Sequence, residues 1–322
     1  MMQVTTMTTP SAFRLPIAMV LLMMLLLTGC HEAGGRGDPA SDSASGAGDD
    51  AERDQPVALV TGSTQGLGAE VARRLGGMGH HVIVHGRDID RGQDVVAEIE
   101  AEGGSAEFRR ADFLELDRVR ELAESINRDF ERLNLLINNA GIGSAEDGME
   151  RTVDGVEPVF QVNYLAHFLL TEQLLPLLEA GAPARIINVS SGAQAAIDFD
   201  DVMLEHWEPD GSQIGRPYAQ SKLAQILHAY DMAERLENTG VTINALHPAT
   251  FMDTYMVRRA GIEPQTTVDE GADAVMQLVT DEVGSGHYFR DHSPRRAQDQ
   301  AYDAEARRQL RELSLELIGA ED

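Results

Sequence analysis

The sequence predicts an α/β fold: one doubly wound parallel sheet of about seven strands with helices on both faces. Two observations carry this. Short apolar runs alternate with helical stretches from Pro56 onward, the pattern of a parallel sheet whose crossovers are helices. A glycine-rich turn, Thr61-Gly62-Ser63-Thr64-Gln65-Gly66-Leu67-Gly68, follows the first of those runs directly.

Taken in order, Val57–Val60 reads as a buried strand and Ala69–Leu75 as a helix. His81–His85 is the second strand, and Val95–Glu102 a helix stopped by Gly103-Gly104. Ala106–Ala111 is the third strand, leading into Asp112-Phe113, and a helix is expected around Val119–Phe130. Leu133–Ile137, Arg185–Val189, Val241–Leu246 and His287–Phe289 complete the set. Right-handed crossovers place a ligand at the carboxyl ends of these strands, where the strand order reverses.

Charge and cysteine usage narrow the setting. The 322 residues carry 53 acidic against 26 basic side chains, a formal net charge of -27. Such a surface repels phosphate, so a nucleic-acid partner is excluded. The sole cysteine, Cys30, closes Leu27-Thr28-Gly29-Cys30 after the apolar run Leu15–Leu27. That run is too short to span a bilayer as a helix. Preceded by Arg14, it fits the h-region of a secretory signal, and the four residues resemble a bacterial lipobox. The expected division is a signal peptide over 1–30, a Gly/Ala/Ser/Asp-rich flexible linker over 31–55 and one folded domain over 56–322. On this reading the protein is a membrane-anchored lipoprotein lipidated at Cys30. A cytoplasmic location is the alternative if the leader is misassigned. A homo-oligomer stays open, and no metal site is expected.

The glycine turn reads as a nucleotide site. Gly62 permits a tight turn after the strand, while Gly66 and Gly68 let the backbone approach a pyrophosphate and the helix pack on the sheet. The free N–H groups of the helix start, with Gln65 and Leu67, then face the phosphates. Enzymes that prefer NAD place an acid near the end of the second strand. Here Gly86 stands at that place, and Arg87 follows with a fork that suits a 2′-phosphate. NADP is the expected cofactor. NAD is the alternative, with Asp88 as the competing acid.

Tyr218 and Lys222 lie one helical turn apart. A Tyr–Lys pair alone is ordinary surface; the set it belongs to is not. Thr61-Gly62-x-x-x-Gly66-x-Gly68, Asn138-Asn139-Ala140-Gly141, Asn163, Ser190-Ser191 and Tyr218-x-x-x-Lys222 together resemble the short-chain dehydrogenase/reductase family, and the resemblance spans about Pro56–Gly319. The long stretch from Ser191 to Tyr218, the run Tyr218–Gln225 and the tail Tyr288-Phe289 with Leu310–Leu317 resemble its retinol-dehydrogenase-like branch.

The resemblance implies a Rossmann-type sheet and an oxidoreductase that interconverts a carbonyl and an alcohol by hydride transfer. It implies Tyr218 as general acid or base and Lys222 as the charge that favours its phenolate and binds the nicotinamide ribose. Ser191 would hold the substrate oxygen, with Ser190 as the alternative hydroxyl. Asn163 would hold a water that relays protons. Asn139 and Ala140 would line the ribose, and Asp112 and Phe113 would flank the adenine. Pro248 would lie near the nicotinamide, although Ala249 stands where relatives commonly have Gly. Ala restricts the backbone there, and an altered loop is expected. His247 reads as a strand-end residue. Ile197, Phe199, Trp207, Phe251, Tyr255 and Met256 form either an apolar substrate pocket or local packing. A non-catalytic NADP-binding sensor is the alternative function. A sugar-nucleotide epimerase is disfavoured by the glycine spacing.

Overall fold

β1 (Val57–Val60) is buried along its whole length because it runs between β2 (His81–Gly86) and β4 (Leu135–Asn138), parallel to both. The computed structural model describes residues 55–145, 149–208 and 215–320. Cys30 and the expected leader and linker, up to Asp54, lie outside them. β3 (Ser105–Arg110), β5 (Ala184–Val189), β6 (Val241–His247), β7 (Tyr288–Arg290) and β8 (Ser293–Pro294) give an eight-stranded sheet ordered β3-β2-β1-β4-β5-β6-β7-β8. All pairings are parallel except β7 with β8. The expected count of about seven falls one short, because β8 is two residues held by a tight hairpin through Asp291.

Alternation along the strands builds two apolar layers. Leu59, Ile83, Leu136, Ile186 and Ile243 point to one face. There they meet α3 (Leu116–Asp129), the long helix α4 (residues 158–180) and α5 (Arg216–Arg235). Val60, Val82, Val84, Ile137, Val189 and Leu246 point to the other, where α1 (Gly66–Gly77), α2 (Ile89–Ala101) and α7 (Val268–Thr280) cover them. The short α6 (Tyr255–Arg259) lies between β6 and α7, and α8 (Ala304–Leu317) closes the chain. Among the described residues no helix is long and apolar enough to cross a membrane.

α4 is not uniform. It runs from Pro158–Phe160 through a π-helical turn, Gln161–Leu165, into Ala166–Ala180. Wide turns of this kind re-aim side chains and backbone, and they recur at functional sites. Asn163 sits in the middle of this one.

Sheet order reverses at β1, between β2 and β4. Because β1 to β7 are parallel, their carboxyl ends share one edge of the sheet, and the predicted nucleotide and catalytic residues lie along it.

Candidate active site

The turn after β1 is shaped by what its glycines avoid. Gly62 adopts φ +64°, and a Cβ there would sit 2.7 Å from Ala140 Cα. A Cβ on Gly68 would strike the Gly62 carbonyl and come within 2.5 Å of Asn139 Nδ2. Gly66, at φ +57°, has open space apart from Thr254 of the loop before α6. The Gln65 side chain makes no capping hydrogen bond to the start of α1, so the first N–H groups of the helix are left to a ligand. A bare helix start behind a loop that tolerates no side chain fits a dinucleotide pyrophosphate.

The Asn139 side chain braces this turn. Its Nδ2 donates to the carbonyls of Thr61 (2.8 Å) and Gly62 (3.2 Å). Its own N–H and that of Ala140 donate to Thr61 Oγ at 2.9 Å each. Thr61 is thus a hub between the ends of β1 and β4.

The end of β2 is cationic. A Cβ on Gly86 would lie 2.5 Å from Thr64 Cγ2, so the place of an NAD-selecting acid admits no side chain as the loop stands. Arg87 is half-exposed beside Asp112, 3.6 Å away. Arg110 donates to the Arg87 carbonyl, and Arg91 reaches Gln65 Oε1 at 2.7 Å. Arg91, which sequence reasoning did not single out, is brought back over the glycine loop by a helical turn from Asp88. Asp88 itself is spent: its carboxylate caps α2 by accepting from the Arg91 N–H. Asp112 accepts from Leu114 N–H. Phe113 is buried with its ring stacked 4.6 Å from that of His85, so only its main chain is left for an adenine.

α5 begins with Pro217 in its first turn, a residue preset for helix starts. Tyr218 follows at once, half-buried at the mouth. Burial pushes its hydroxyl above the ordinary tyrosine value, and a hydrogen bond with Ser191 pulls the other way. Lys222, the only lysine in the chain, is buried, and its Nζ lies 5.5 Å from the Tyr218 ring centre. It donates to Val189 O (2.9 Å) and Gln225 Oε1 (3.0 Å). Burial lowers its pKa to about 7.

The two serines separate cleanly. Ser190 Oγ donates to the Lys222 carbonyl at 2.6 Å and is tied to α5, whereas Ser191 meets Tyr218. Ser191 is itself held by neighbours: its Oγ accepts from Ala193 N–H, and its carbonyl accepts from Tyr288 OH and Gln194 Nε2, both at 3.0 Å. Asn163 Oδ1 accepts from Ile142 N–H (2.8 Å), and its Nδ2 donates to the Ile142 carbonyl and to Ser221 Oγ. Gly141 stands between them and Lys222; a Cβ there would be 3.2 Å from Asn163 Oδ1 and 3.6 Å from Nζ.

The loop after β6 departs from expectation. Pro248 and Ala249 are buried, and Ala249 keeps an ordinary backbone. The left-handed residue is Phe251, at φ 48°. Ala at 249 therefore carries no conformational penalty. His247 is a strand-end residue as read, hydrogen-bonded to Thr250 Oγ at 3.0 Å. Of the six candidate pocket residues, Ile197 and Phe199 pack into the core and Tyr255 is exposed. Met256 lies over Gly143.

A parallel sheet with a bare glycine turn at its switch point and a Ser–Tyr–Lys set beside it defines a dinucleotide-dependent oxidoreductase. The family model described as short chain dehydrogenase matches residues 56–199. Human retinol dehydrogenase 13 is 35% identical over 285 residues, covering 82% of this chain and 84% of that protein. Human polyprenol dehydrogenase is 32% identical over 84% of this chain and 87% of its own length. The chain belongs to the short-chain dehydrogenase/reductase family, in its retinol-dehydrogenase-like branch. Among solved structures, a metagenomic short-chain oxidoreductase in complex with NADP matches with TM-score 0.54 and 28% identity, over 70% of this chain and 91% of that one. The landomycin C-6 ketoreductase LanV with bound NADP and rabelomycin matches with TM-score 0.59 and 26% identity, over 73% and 94%.

Proposed function

We propose that the protein is an NADP-dependent oxidoreductase that interconverts a carbonyl and an alcohol, with Tyr218 as general acid in reduction and base in oxidation. The observation that carries this reading is the meeting of Ser191 and Tyr218 with the Lys222 ammonium 5.5 Å from the same ring. The nicotinamide, when bound, supplies or accepts the hydride. Everything else falls to the chain. Ser191, held by Ala193, Tyr288 and Gln194, orients the substrate oxygen beside the Tyr218 hydroxyl. In reduction that hydroxyl gives its proton to the oxygen as negative charge develops there. The resulting phenolate is stabilised by Lys222, whose charge acts at short range in a site with little water. In oxidation the phenolate takes the alcohol proton.

Selection of NADP rests on Gly86, which leaves no room for a ribose-binding acid, and on Arg87 and Arg91 at the rim. The retinol and polyprenol dehydrogenases among the relatives and the NADP complexes among the solved structures support the same reading. The test is Tyr218→Phe, assayed with NADPH over a panel of aldehydes and ketones. Turnover falls by at least about a thousandfold while NADPH binding is retained. Turnover at the wild-type rate overturns the assignment of Tyr218.

A further inference from the structure

The carboxyl end of β7 bears a feature that the hydride chemistry does not use. A cavity of about 800 Å³ opens there, lined by Gly192, Gln194 and Tyr288 on one side and by Arg290, Arg295 and Arg296 on the other. Its size suits a small-molecule ligand. Its charge runs against the molecule. The chain has a formal net charge of -27, and most described arginines face a carboxylate: Arg74 meets three, and Arg73, Arg118 and Arg308 two each. Arg290 and Arg295 make no ion pair among the described residues. Arg296 is shared with Asp299 and stacks over Tyr302. Asp291 is the one carboxylate on the cavity wall, and its main chain is fixed by a bond from its N–H to the His247 carbonyl. The wall thus carries three guanidinium groups against one carboxylate, a net positive charge, and Arg290 and Arg295 have no ion-pair partner within 4 Å among the described residues.

Position gives this charge a meaning. Register pairs Val189 of β5 with Leu246 of β6, and His247 of β6 with Arg290 of β7. Arg290 therefore stands two strands across from the Ser190-Ser191 end of β5, roughly 10 Å at ordinary strand spacing. Tyr288 joins the two directly: it lines the cavity and donates its hydroxyl to the Ser191 carbonyl. A molecule whose reacting oxygen lies at Ser191 can put its far end among these arginines.

We infer that this cavity is an anion subsite, and that the substrate is a carbonyl or alcohol carrying a carboxylate or comparable anion at its far end, held by Arg290 and Arg295. The inference rests on the reading of Ser191 and Tyr218 as the groups that meet the reacting oxygen. Paired guanidinium groups recognise planar anions through two-pronged, charge-assisted hydrogen bonds. In a strongly acidic protein they also create a local field that attracts an anion otherwise repelled by the surface.

The test uses the full chain loaded with NADP⁺, so that an added aldehyde binds without being reduced. Calorimetry compares 4-carboxybenzaldehyde with its methyl ester in the wild type, in R290Q/R295Q and in R290K/R295K. The acid binds at least about tenfold more tightly than the ester in the wild type. The ratio falls to near one in the glutamine pair, recovers in part in the lysine pair, and shrinks with added salt. Acid that binds no better than ester in the wild type overturns the inference, as does acid that keeps its advantage in R290Q/R295Q. Both arginines are exposed, so the substitutions leave the core intact. Turnover with NADPH is measured separately. Acid that binds as described but is never reduced counts against the catalytic reading and not against the subsite.

Discussion

Thr61 Oγ lies 2.9 Å from His167 Nε2, and this bond ties the nucleotide turn to the wide turn of α4. His167 Nδ1 lies 2.9 Å from the Asn163 carbonyl, which can only accept, so Nδ1 carries the proton. Nε2 is then the acceptor, and the Thr61 hydroxyl donates to it. The same oxygen accepts from the N–H groups of Asn139 and Ala140 and lies 3.3 Å from the Ile137 carbonyl, so one threonine oxygen meets four groups. Replacing Thr61 by Val leaves the Ala140 N–H and the buried His167 Nε2 without partners, while the Asn139 N–H keeps the Ile137 carbonyl. Thr61→Val is expected to lose about 2–4 kcal/mol of stability, read from urea unfolding. Thr61→Ser is expected to recover most of it, because the hydroxyl and not the methyl makes these bonds.

The glycine turn offers a paired comparison. Gly68→Ala drives a methyl into the Gly62 carbonyl and Asn139, neither of which can move without opening the turn. NADPH affinity is expected to fall by about tenfold or more, the cost of overpacking by one methyl. Gly77→Ala, at the far end of the same helix, meets nothing within 4 Å. It is expected to stabilise the protein by about 0.5–1 kcal/mol through helix propensity without touching the nucleotide. Fluorescence titration with NADPH and a thermal melt of both variants check this.

Arg87 and Arg91 are expected to read the 2′-phosphate. Arg87→Leu combined with Arg91→Leu should weaken NADPH by roughly 10–100-fold, the worth of one or two charge-assisted hydrogen bonds, and change NADH by much less. Equal losses for both nucleotides would instead place the arginines on the shared part of the molecule.

Four buried histidines predict acid sensitivity. Burial lowers the pKa of His85, His228 and His247 to about 4 each, and that of His167 to about 3, all below the ordinary 6.5. Between pH 6.5 and 4 the unfolded chain therefore binds protons that the folded chain refuses, and stability rises with pH across that window. As pH falls from 6.5 towards 4 the melting temperature is expected to drop continuously. A melting temperature that stays flat from pH 6.5 to 4.5 would show that these groups take up protons without unfolding.

Most strands were legible because they are fully covered. Val57–Val60 and Arg185–Val189 are unbroken apolar or nearly apolar runs with turn residues beside them, and the sheet contains them within a residue. Helix starts were not. α1 begins at Gly66 rather than Ala69, and α2 at Ile89 rather than Val95. Glycines give no periodicity, and the first turn of α2 exposes Ile89, Asp90 and Arg91, with no apolar side chain turned to the core before Val95. The fourth strand starts at Leu135, two residues later than read, because Leu133 is buried as a loop residue under α4.

The site was legible where the family motif is spelled out in residues, and not where tertiary packing supplies it. His167 is a lone histidine in an apolar helix, with no sequence mark of its role. Arg290 and Arg295 follow the Tyr288-Phe289 mark but are about 100 residues from Ser191 in sequence, and only the register of β5, β6 and β7 brings them beside it. Ala249 was read as restricting the loop after Pro248, whereas the left-handed residue of that loop is Phe251, two positions later.

Lys222 has a consequence outside the chemistry. It is the chain's only lysine and is buried in the middle of the domain, so a lysine-specific protease has a single bond to cut, between Lys222 and Leu223. That bond lies inside a 20-residue helix packed on the sheet, and no surface fraying exposes it. Cleavage between Lys222 and Leu223 therefore counts unfolding events of the domain, and the protein carries its own gauge of how often it opens.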